Sequence, residues 1–237
     1  MTDKDAGPGT FPAAIDYERM YRGEELSPGV AIQRPPWDIG RPQPLLVEFE
    51  QRGRIHDDVL DVGCGPGDNA IYLASLGYRV IGLDVAATAI GAARSRAAKQ
   101  GVPVSFETAD ATLLVGHDGR FYTVVSSALL HCLTPEQRRA HVAALTRVIK
   151  PGGRLIQFCF TTTDCAELYA PYPISEETLR STFAPPNWSI TMLRPDRLTV
   201  EPDETMSERF ARIGFRPELD DQGALLLPVL VLEAQRI

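Results

Sequence analysis

Hydrophobic and polar positions alternate along most of the chain in the manner of strands that are each followed by a helix. Short runs of branched apolar residues predict strands, and apolar residues at helical spacing predict helices. Strands are predicted over residues 57–62, 78–83, 102–108, 121–126, 154–161, 188–200 and 223–237. Helices are predicted over residues 44–52, 68–76, 86–99, 135–149, 175–183 and 203–213. The helix over 135–149 is expected to end at the sequence KPGG, where a glycine suits the C-cap. Such alternation builds βαβ units, so we expect an α/β fold with a doubly wound, mostly parallel seven-stranded sheet and helices on both faces.

The first 44 residues follow a different pattern. Apolar and aromatic positions predict a short amphipathic helix from residue 12 to about residue 26. Residues 27–44 contain five prolines and two glycines, which predicts a loop without regular structure. A loop of this length usually has a function. We therefore expect a flexible N-terminus and lid over residues 1–44 and a single domain over residues 45–237.

Composition and charge narrow the classes of partner. The chain has 44% hydrophobic residues and a net charge of −7, from 24 basic and 31 acidic residues. Because no basic run is present, a nucleic-acid partner is not expected, and no apolar stretch is long enough to predict a membrane span. The cysteines form no C-x-x-C pair and follow no signal peptide, which predicts a reducing, cytoplasmic location and no zinc site. The four cysteines are Cys64, Cys132, Cys159 and Cys165.

A glycine-rich turn is the sharpest local motif. The sequence VLDVGCGPGD, residues 59–68, predicts a buried strand, then Gly63, Gly65 and Gly67, and then a helix for which Asp68 is the expected N-cap. Such glycines allow a ligand to lie against the backbone at the carboxyl edge of a sheet. Asp84 ends the next strand, where a carboxylate can accept both hydroxyls of a ribose.

The charges of this turn favour one kind of ligand. A dinucleotide site places a pyrophosphate at the start of the helix, whereas here Asp68 stands at that position and Asp61 lies in the preceding strand. An anionic ligand is therefore disfavoured, and a ligand with an ammonium and a sulfonium group is compatible.

These residues resemble the class I S-adenosylmethionine-dependent methyltransferases. DVGCGPG matches the first motif of that family, LDV at 83–85 its ribose-binding acid, and AD at 109–110 the acid near the adenine. FYTVVSSALLHCL, followed by KPGG, is similar to its fourth and fifth strands, although Tyr122 stands where the family commonly has aspartate. The resemblance implies a Rossmann-like fold and S-adenosylmethionine as the cofactor. The cofactor-binding residues that it implies are Trp37, Gly40, Asp61, Gly63, Cys64, Gly65, Gly67, Asn69, Asp84, Val85, Asp110, Ala111 and Ser127.

The N-terminal segment resembles the lid of small-molecule methyltransferases. MYRGEE and PPWDIGRPQP are similar to that lid in thiol and thiopurine methyltransferases and in actinobacterial enzymes that methylate heterocyclic toxins such as hydroxyquinolone N-oxides. The resemblance implies that Trp37 and Gly40 lie over the cofactor and that Tyr17, Tyr21 and Arg22 face the acceptor. The alternatives are that Trp37 is a packing anchor and that the tyrosines form the core face of a short helix.

His131 is the candidate general base. It follows the fourth strand of the predicted sheet, and the ordinary pKa of histidine suits proton removal. The alternative is that His131 only packs beside the cofactor. The other histidines, His56, His117 and His141, are expected at the surface. The stretch SSALL at 126–130 offers no acidic metal ligands, so metal-independent activity is expected.

The function that these features favour is methyl transfer to an O, S or N nucleophile of a small apolar molecule, aromatic or heterocyclic, such as a hydroxyquinolone, a phenol or a thiol. One alternative is a nicotinamide-dependent reductase of the short-chain type, but none of the seven tyrosines stands four residues before a lysine. A second alternative is a cofactor-binding protein without catalytic activity. The acceptor, the oligomeric state and a role in detoxification or biosynthesis stay open.

Overall fold

The computed structural model describes residues 15–27, 30–32, 34–163, 166, 169–202, 204–212 and 214–237. The strands are β1 (Glu25–Ser27), β2 (Val30–Ala31), β3 (Val59–Val62), β4 (Val80–Asp84), β5 (Ser105–Thr108), β6 (Phe121–Ser127), β7 (Ile149–Phe160), β8 (Trp188–Val200), β9 (Glu218–Leu219) and β10 (Leu225–Arg236). The helices are α1 (Tyr17–Tyr21), α2 (Pro44–Gln51), α3 (Asp68–Ser75), α4 (Ala87–Gln100), α5 (Pro135–Val148), α6 (Glu176–Thr182) and α7 (Glu204–Arg212). None of the helices in the described part of the chain is long and apolar enough to cross a bilayer.

One mixed sheet organises the fold. Its strand order is β5-β4-β3-β6-β7-β10-β8, and β9 pairs with β10. Strands β3 to β7 pair in parallel, and β10 lies antiparallel between β7 and β8. The predicted seven strands and the mostly parallel sheet are confirmed, with β9 as a short addition. Because strand order reverses between β3 and β6, a crevice opens at the carboxyl ends of these strands.

Helices cover the sheet on both faces. Helices α2, α3 and α4 bury Phe49, Leu73 and Ile90 in the apolar cluster on one face. Helices α5 and α6 bury Leu145 and Leu179 in a second cluster. Strands β3 and β4 are buried along their whole length, as continuous apolar runs predict for the centre of a parallel sheet.

Two predicted helix ends differ from the structure. Helix α3 has Gly67 as its N-cap, at φ +88°, and Asp68 is its first residue, so the expectation of an Asp68 cap is wrong. Helix α5 ends at Val148, and the chain continues directly into β7 in extended form at Ile149. The glycines of KPGG therefore lie inside strand β7 and not at a helix C-cap.

The N-terminal segment, residues 15–43 as far as they are described, is more regular than its composition predicts. Helix α1 is one short turn, capped by the side chain of Asp16, which accepts the backbone N–H of Arg19. Strands β1 and β2 form a hairpin that enters the stretch predicted to lack regular structure. The predicted start at residues 12–14 lies outside the described residues. The difference arises because backbone hydrogen bonds join β1 to β2. The number of prolines in a segment does not show whether such pairing occurs.

Candidate active site

A cavity of about 500 Å³ opens at the carboxyl edge of the parallel strands. Its wall takes Gly63 from the end of β3, Asp84 from β4, Ala109 from the loop after β5 and Ser127 from β6, and residues of the N-terminal segment also line it. This volume lies within the range of sites that hold cofactors and small substrates. The residues of the wall that the sequence predicted are Tyr17, Tyr21, Trp37, Gly63, Asp84, Val85, Asp110, Ala111 and Ser127.

The glycine-rich turn brings bare backbone to the cavity. A side chain at Gly65 would place its Cβ 2.8 Å from the Tyr21 hydroxyl oxygen. At Gly67 the same atom would lie 2.8 Å from the ring of Phe106. Both residues have positive φ angles, so substitution there would add backbone strain to a steric clash. The absence of side chains at Gly65 and Gly67 therefore lets the turn pack closely against Tyr21 and Phe106.

Asp84 connects this turn to helix α4. Its Oδ2 accepts the backbone N–H of Gly65 at 2.8 Å, and its Oδ1 accepts that of Ala86 at 2.9 Å. Burial raises the pKa of this carboxyl above its ordinary value, although the N–H groups of Ala86 and Gly65 oppose the shift. A carboxylate has about four acceptor positions, so two positions stay available for the hydroxyls of a ribose.

Asp61 lies beneath the turn and outside the cavity wall. It is 1% exposed, and its Oδ2 has no hydrogen-bond partner among the described residues. Burial, reinforced by the charge of Asp84, raises its pKa to about 7. Asp61 can therefore act on a bound cation through its charge, and that charge is only partly present at neutral pH.

Asp68 does not contribute a free negative charge, contrary to the expectation from the sequence. Arg96 donates to both oxygens of Asp38 at 2.7 Å and to Asp68 at 3.0 Å. The guanidinium therefore shares one positive charge between the carboxylates of Asp38 and Asp68, and it ties the N-terminal segment to helices α3 and α4. Asp61 and Asp84 add further negative charge near the turn.

The loop after β5 adds polar groups to the cavity wall. Asp110 accepts the N–H and the hydroxyl of Thr112, both at 2.7 Å, and Val85 is exposed beside it. His141 donates its Nδ1–H to the carbonyl of Ala111 at 2.7 Å and thus supports this loop. Burial lowers the pKa of His141 to about 4, so the ring is neutral.

Aromatic side chains of the N-terminal segment lie over the turn. The indole N–H of Trp37 donates to the Tyr21 hydroxyl at 2.8 Å, and the rings of Tyr17 and Trp37 lie 6.2 Å apart. All three rings line the cavity. Burial raises the pKa of both phenols, so they stay protonated and act as hydrogen-bonding groups.

Other predicted residues border the site in different ways. Cys64, Gly65 and Asn69 line a small recess beside the cavity, and Asn69 accepts the backbone N–H of Gln43 there. Gly67 and Gly40 lie outside the walls of both spaces, and Gly40 contacts the carboxylate of Asp68. The structure thus gives these two glycines a role in positioning the turn.

Two predicted residues point away from the cavity. Arg22 is exposed and pairs with Glu18 at 3.0 Å and Glu24 at 3.7 Å. His131 is 3% exposed, and its Nδ1 accepts the backbone N–H of Phe160 at 3.2 Å. Burial lowers the pKa of His131 to about 3, which leaves a weak base outside the cavity wall. The position favours the packing interpretation of His131.

The remaining histidines also differ from their predicted places. His56 is exposed as expected, whereas His117 and His141 are buried. No group of three or more potential ligands suited to a metal ion occurs among His, Cys, Asp and Glu in the part of the chain that the structure describes.

Several residues of the site were not predicted from the sequence. Cys132 and Leu129 line the cavity, and Glu18 contacts both the cavity and Thr88 at the start of α4. One signal was available: the residues around the start of α4 are VAAT, so Ala86 stands at the N-cap and offers no side-chain acceptor. A helix start that lacks a local cap needs a partner from elsewhere.

The fold and the site together define an α/β protein with a ligand cavity at the carboxyl edge of β3 and β4. A profile of the methyltransferase domain family matches residues 59–153. The 2-heptyl-1-hydroxyquinolin-4(1H)-one methyltransferase of Mycobacteroides abscessus is 36% identical over 225 residues, which cover 93% of this chain and 96% of the relative. The chain belongs to the S-adenosylmethionine-dependent methyltransferases.

Two solved structures agree with this assignment. One, described as "Conversion of a Disulfide Bond into a Thioacetal Group during Echinomycin Biosynthesis", is 33% identical, with a TM-score of 0.76 and coverage of 93% of this chain and 91% of that chain. The other is magnesium protoporphyrin IX methyltransferase from Synechocystis with bound S-adenosylmethionine, 22% identical, with a TM-score of 0.57 and coverage of 81% and 76%. The latter supports the fold alone.

Replacement of Asp84 tests the ribose site. Asp84→Ala should weaken S-adenosylmethionine binding by roughly 1–3 kcal/mol, because charge-assisted hydrogen bonds are lost and the glycine turn is released. Calorimetric titration measures the change, with Asp118→Ala, an exposed aspartate paired with Arg147, as the matched control. Equal affinities of the two variants would mean that the ribose lies elsewhere.

The raised pKa of Asp61 predicts that cofactor binding releases protons near pH 7. A bound cation favours the ionised form, so the pKa of about 7 should fall on binding and a fraction of a proton should leave. Titrations in buffers of different ionisation enthalpy measure the number released. Asp61→Asn should abolish most of this release, and S-adenosylhomocysteine, which lacks the sulfonium charge, should cause less of it. Equal release by wild type and Asp61→Asn would contradict the assignment.

Proposed function

We propose that the methyl acceptor is a small planar heterocycle with an acidic hydroxyl, of the hydroxyquinolone class. The observation that carries this proposal is the likeness to the hydroxyquinolone methyltransferase, which extends over 93% of this chain and includes the N-terminal segment that covers the cavity. Local likeness confined to the glycine turn would not favour any acceptor.

Part of the cavity wall supports an apolar aromatic acceptor. Leu129, Leu133 and Pro171 line it together with the rings of Tyr17 and Tyr172. Flat apolar surfaces of this kind bind ring systems by area burial and offset stacking. When it is bound, S-adenosylmethionine supplies an electrophilic methyl group on a positively charged sulfur.

The titratable groups near this apolar wall do not suit proton removal. Burial raises the pKa of Cys132 to about 12, and burial, helped by the neighbouring Cys132, keeps the phenol of Tyr17 protonated. His131 lies outside the wall. We therefore infer that the acceptor loses its proton before it binds, and that the protein aligns the resulting anion and excludes water. Alignment alone can contribute roughly 7–11 kcal/mol to the lowering of a barrier.

We assign the N-terminal segment the role of a lid and the remainder the role of the methyltransferase domain. Trp37, Tyr17 and Tyr21 cover the cavity, and their packing supports exclusion of water. A dry, weakly polar cavity favours a reaction in which a cation and an anion neutralise each other.

A sulfur acceptor is the second candidate. The observation in its favour is the likeness, at 33% identity over 93% of this chain, to the solved structure from echinomycin biosynthesis. The description of that structure names the conversion of a disulfide bond into a thioacetal group, which is a reaction at sulfur. A thiol also loses its proton without a base from the protein, so the same cavity chemistry applies to the resulting thiolate. A screen that includes thiols with hydroxyquinolones and phenols distinguishes the two acceptors by the mass of the methylated product.

The pH dependence of turnover tests the proposed acceptor chemistry. For acceptors of different acidity, the rate should rise through the pKa of each acceptor, because the protein supplies no base. Addition of a chelator should leave the rate unchanged. A rise at one fixed pH for all acceptors would contradict self-ionisation, and absence of any methylated product would favour a binding protein without catalytic activity.

His131→Asn tests the general-base interpretation. The asparagine Oδ1 can accept the Phe160 N–H in place of the histidine Nδ1, so the fold should persist. Turnover should change less than about threefold, whereas removal of a working general base costs about 10²- to 10⁴-fold. A loss of that size, with unchanged melting temperature, would restore His131 as the base.

A further inference from the structure

Helix α4 begins directly after the ribose-binding strand and has no cap of its own. Its N-cap is Ala86, which has no side-chain acceptor. The first backbone N–H groups of a helix have no partner within it, and Ser, Thr, Asp or Asn at the N-cap normally accepts one of them. At α4 this need is met from outside the helix.

Glu18 of helix α1 supplies the missing acceptor. Its Oε2 accepts the backbone N–H of Thr88 at 3.0 Å, and its Oε1 accepts the Thr88 hydroxyl at 2.7 Å. These bonds from Thr88 lower the pKa of Glu18, so the group that caps the helix is the carboxylate. A negative charge also interacts favourably with the helix dipole at this end.

The same side chain adjoins the cavity and its aromatic cover. Glu18 lines the cavity and lies next to Tyr17 in the single turn of α1, which also carries Tyr21. Arg22 donates to Glu18 at 3.0 Å and holds its carboxylate toward α4. The contact between Glu18 and Thr88 therefore fixes the place of both tyrosine rings relative to the end of β4.

We propose that Glu18 is a positioning residue for methyl transfer: it caps α4 from the N-terminal segment and so holds the aromatic cover closed over the bound cofactor. The two carboxylates at this helix start act from opposite sides, since Asp84 accepts the N–H of Ala86 and Glu18 accepts that of Thr88. The proposal depends on cofactor binding and not on the acceptor class. A different acceptor from the proposed hydroxyquinolone would therefore leave it unchanged.

The test compares dissociation of S-adenosylhomocysteine from wild type, Glu18→Ala and Glu24→Ala, measured by stopped-flow fluorescence. Glu24 is the matched control, because it belongs to the same segment and pairs with Arg19 and Arg22 at its surface. Loss of a helix cap shifts an equilibrium by about three- to tenfold, and Glu18→Ala should speed dissociation by that factor. Glu24→Ala should dissociate at the wild-type rate.

A second set of variants separates positioning from stability. Glu18→Gln keeps an acceptor for Thr88 but loses the charge, and should give an intermediate rate even if Glu18→Ala does not fold. Thr88→Val should have less than an additive effect when it is combined with Glu18→Gln, because both act through one contact. In steady state, KM for S-adenosylmethionine should rise more than kcat falls. A lower melting temperature with unchanged dissociation and KM would show that Glu18 only stabilises the helix, and would overturn the proposal.

Discussion

The carboxylate of Asp84 is the contact on which the site depends. Its two oxygens accept N–H groups from the glycine turn after β3 and from the start of α4, at 2.8 and 2.9 Å. The turn, the strand end and the helix start are thereby joined at one buried charge. That charge is costly to bury, and the pKa of Asp84 is raised accordingly, so its hydrogen bonds and a cationic ligand have to stabilise the ionised form.

The wider cavity extends this connection in two directions. Toward the ligand, the remaining acceptor positions of Asp84 suit a ribose, and the partly ionised Asp61 beneath the turn favours a cation. Toward the cover, Arg96 links Asp38 of the N-terminal segment to Asp68 of α3, and Glu18 links α1 to α4. Charged hydrogen bonds therefore connect the parts of the chain around Asp84, while Leu129, Leu133 and Pro171 give the cavity an apolar stretch of wall. Such a wall suits the proposed reaction, in which alignment and exclusion of water matter more than proton transfer.

The sequence predicted those features that depend on local pattern. The positions of the strands, the turn at Gly63, Gly65 and Gly67, and the place of Asp84 at a strand end follow from hydrophobic runs and glycine spacing, and the structure agrees with them. The direction in which a side chain points was harder to predict from the sequence. His131 and Cys132 are neighbours in one tight turn, Leu130–Cys132, so only one of the two lines the cavity, and it is Cys132.

Contacts between segments far apart in the sequence were the hardest features to predict. Arg96 pairs with Asp68 from 28 residues away, and Glu18 reaches Thr88 across 70 residues. No spacing rule connects such pairs, because the first distance depends on how α3 lies beside α4 and the second on how the N-terminal segment folds back on the sheet. The missing cap at Ala86 was the one visible sign of such a contact.

Amide hydrogen exchange of the ligand-free protein tests the central role of Asp84 most directly. Asp84→Asn replaces one acceptor oxygen by an NH₂ group. That group is a donor and would face the N–H of either Gly65 or Ala86, so one of the two hydrogen bonds would be lost. If Asp84 connects these parts of the site, amide exchange in the Asp84→Asn variant should become faster in the glycine turn, in the first turn of α4 and in helix α1. Exchange in β6 and β7 should stay unchanged. Faster exchange confined to residues beside position 84 would contradict the account.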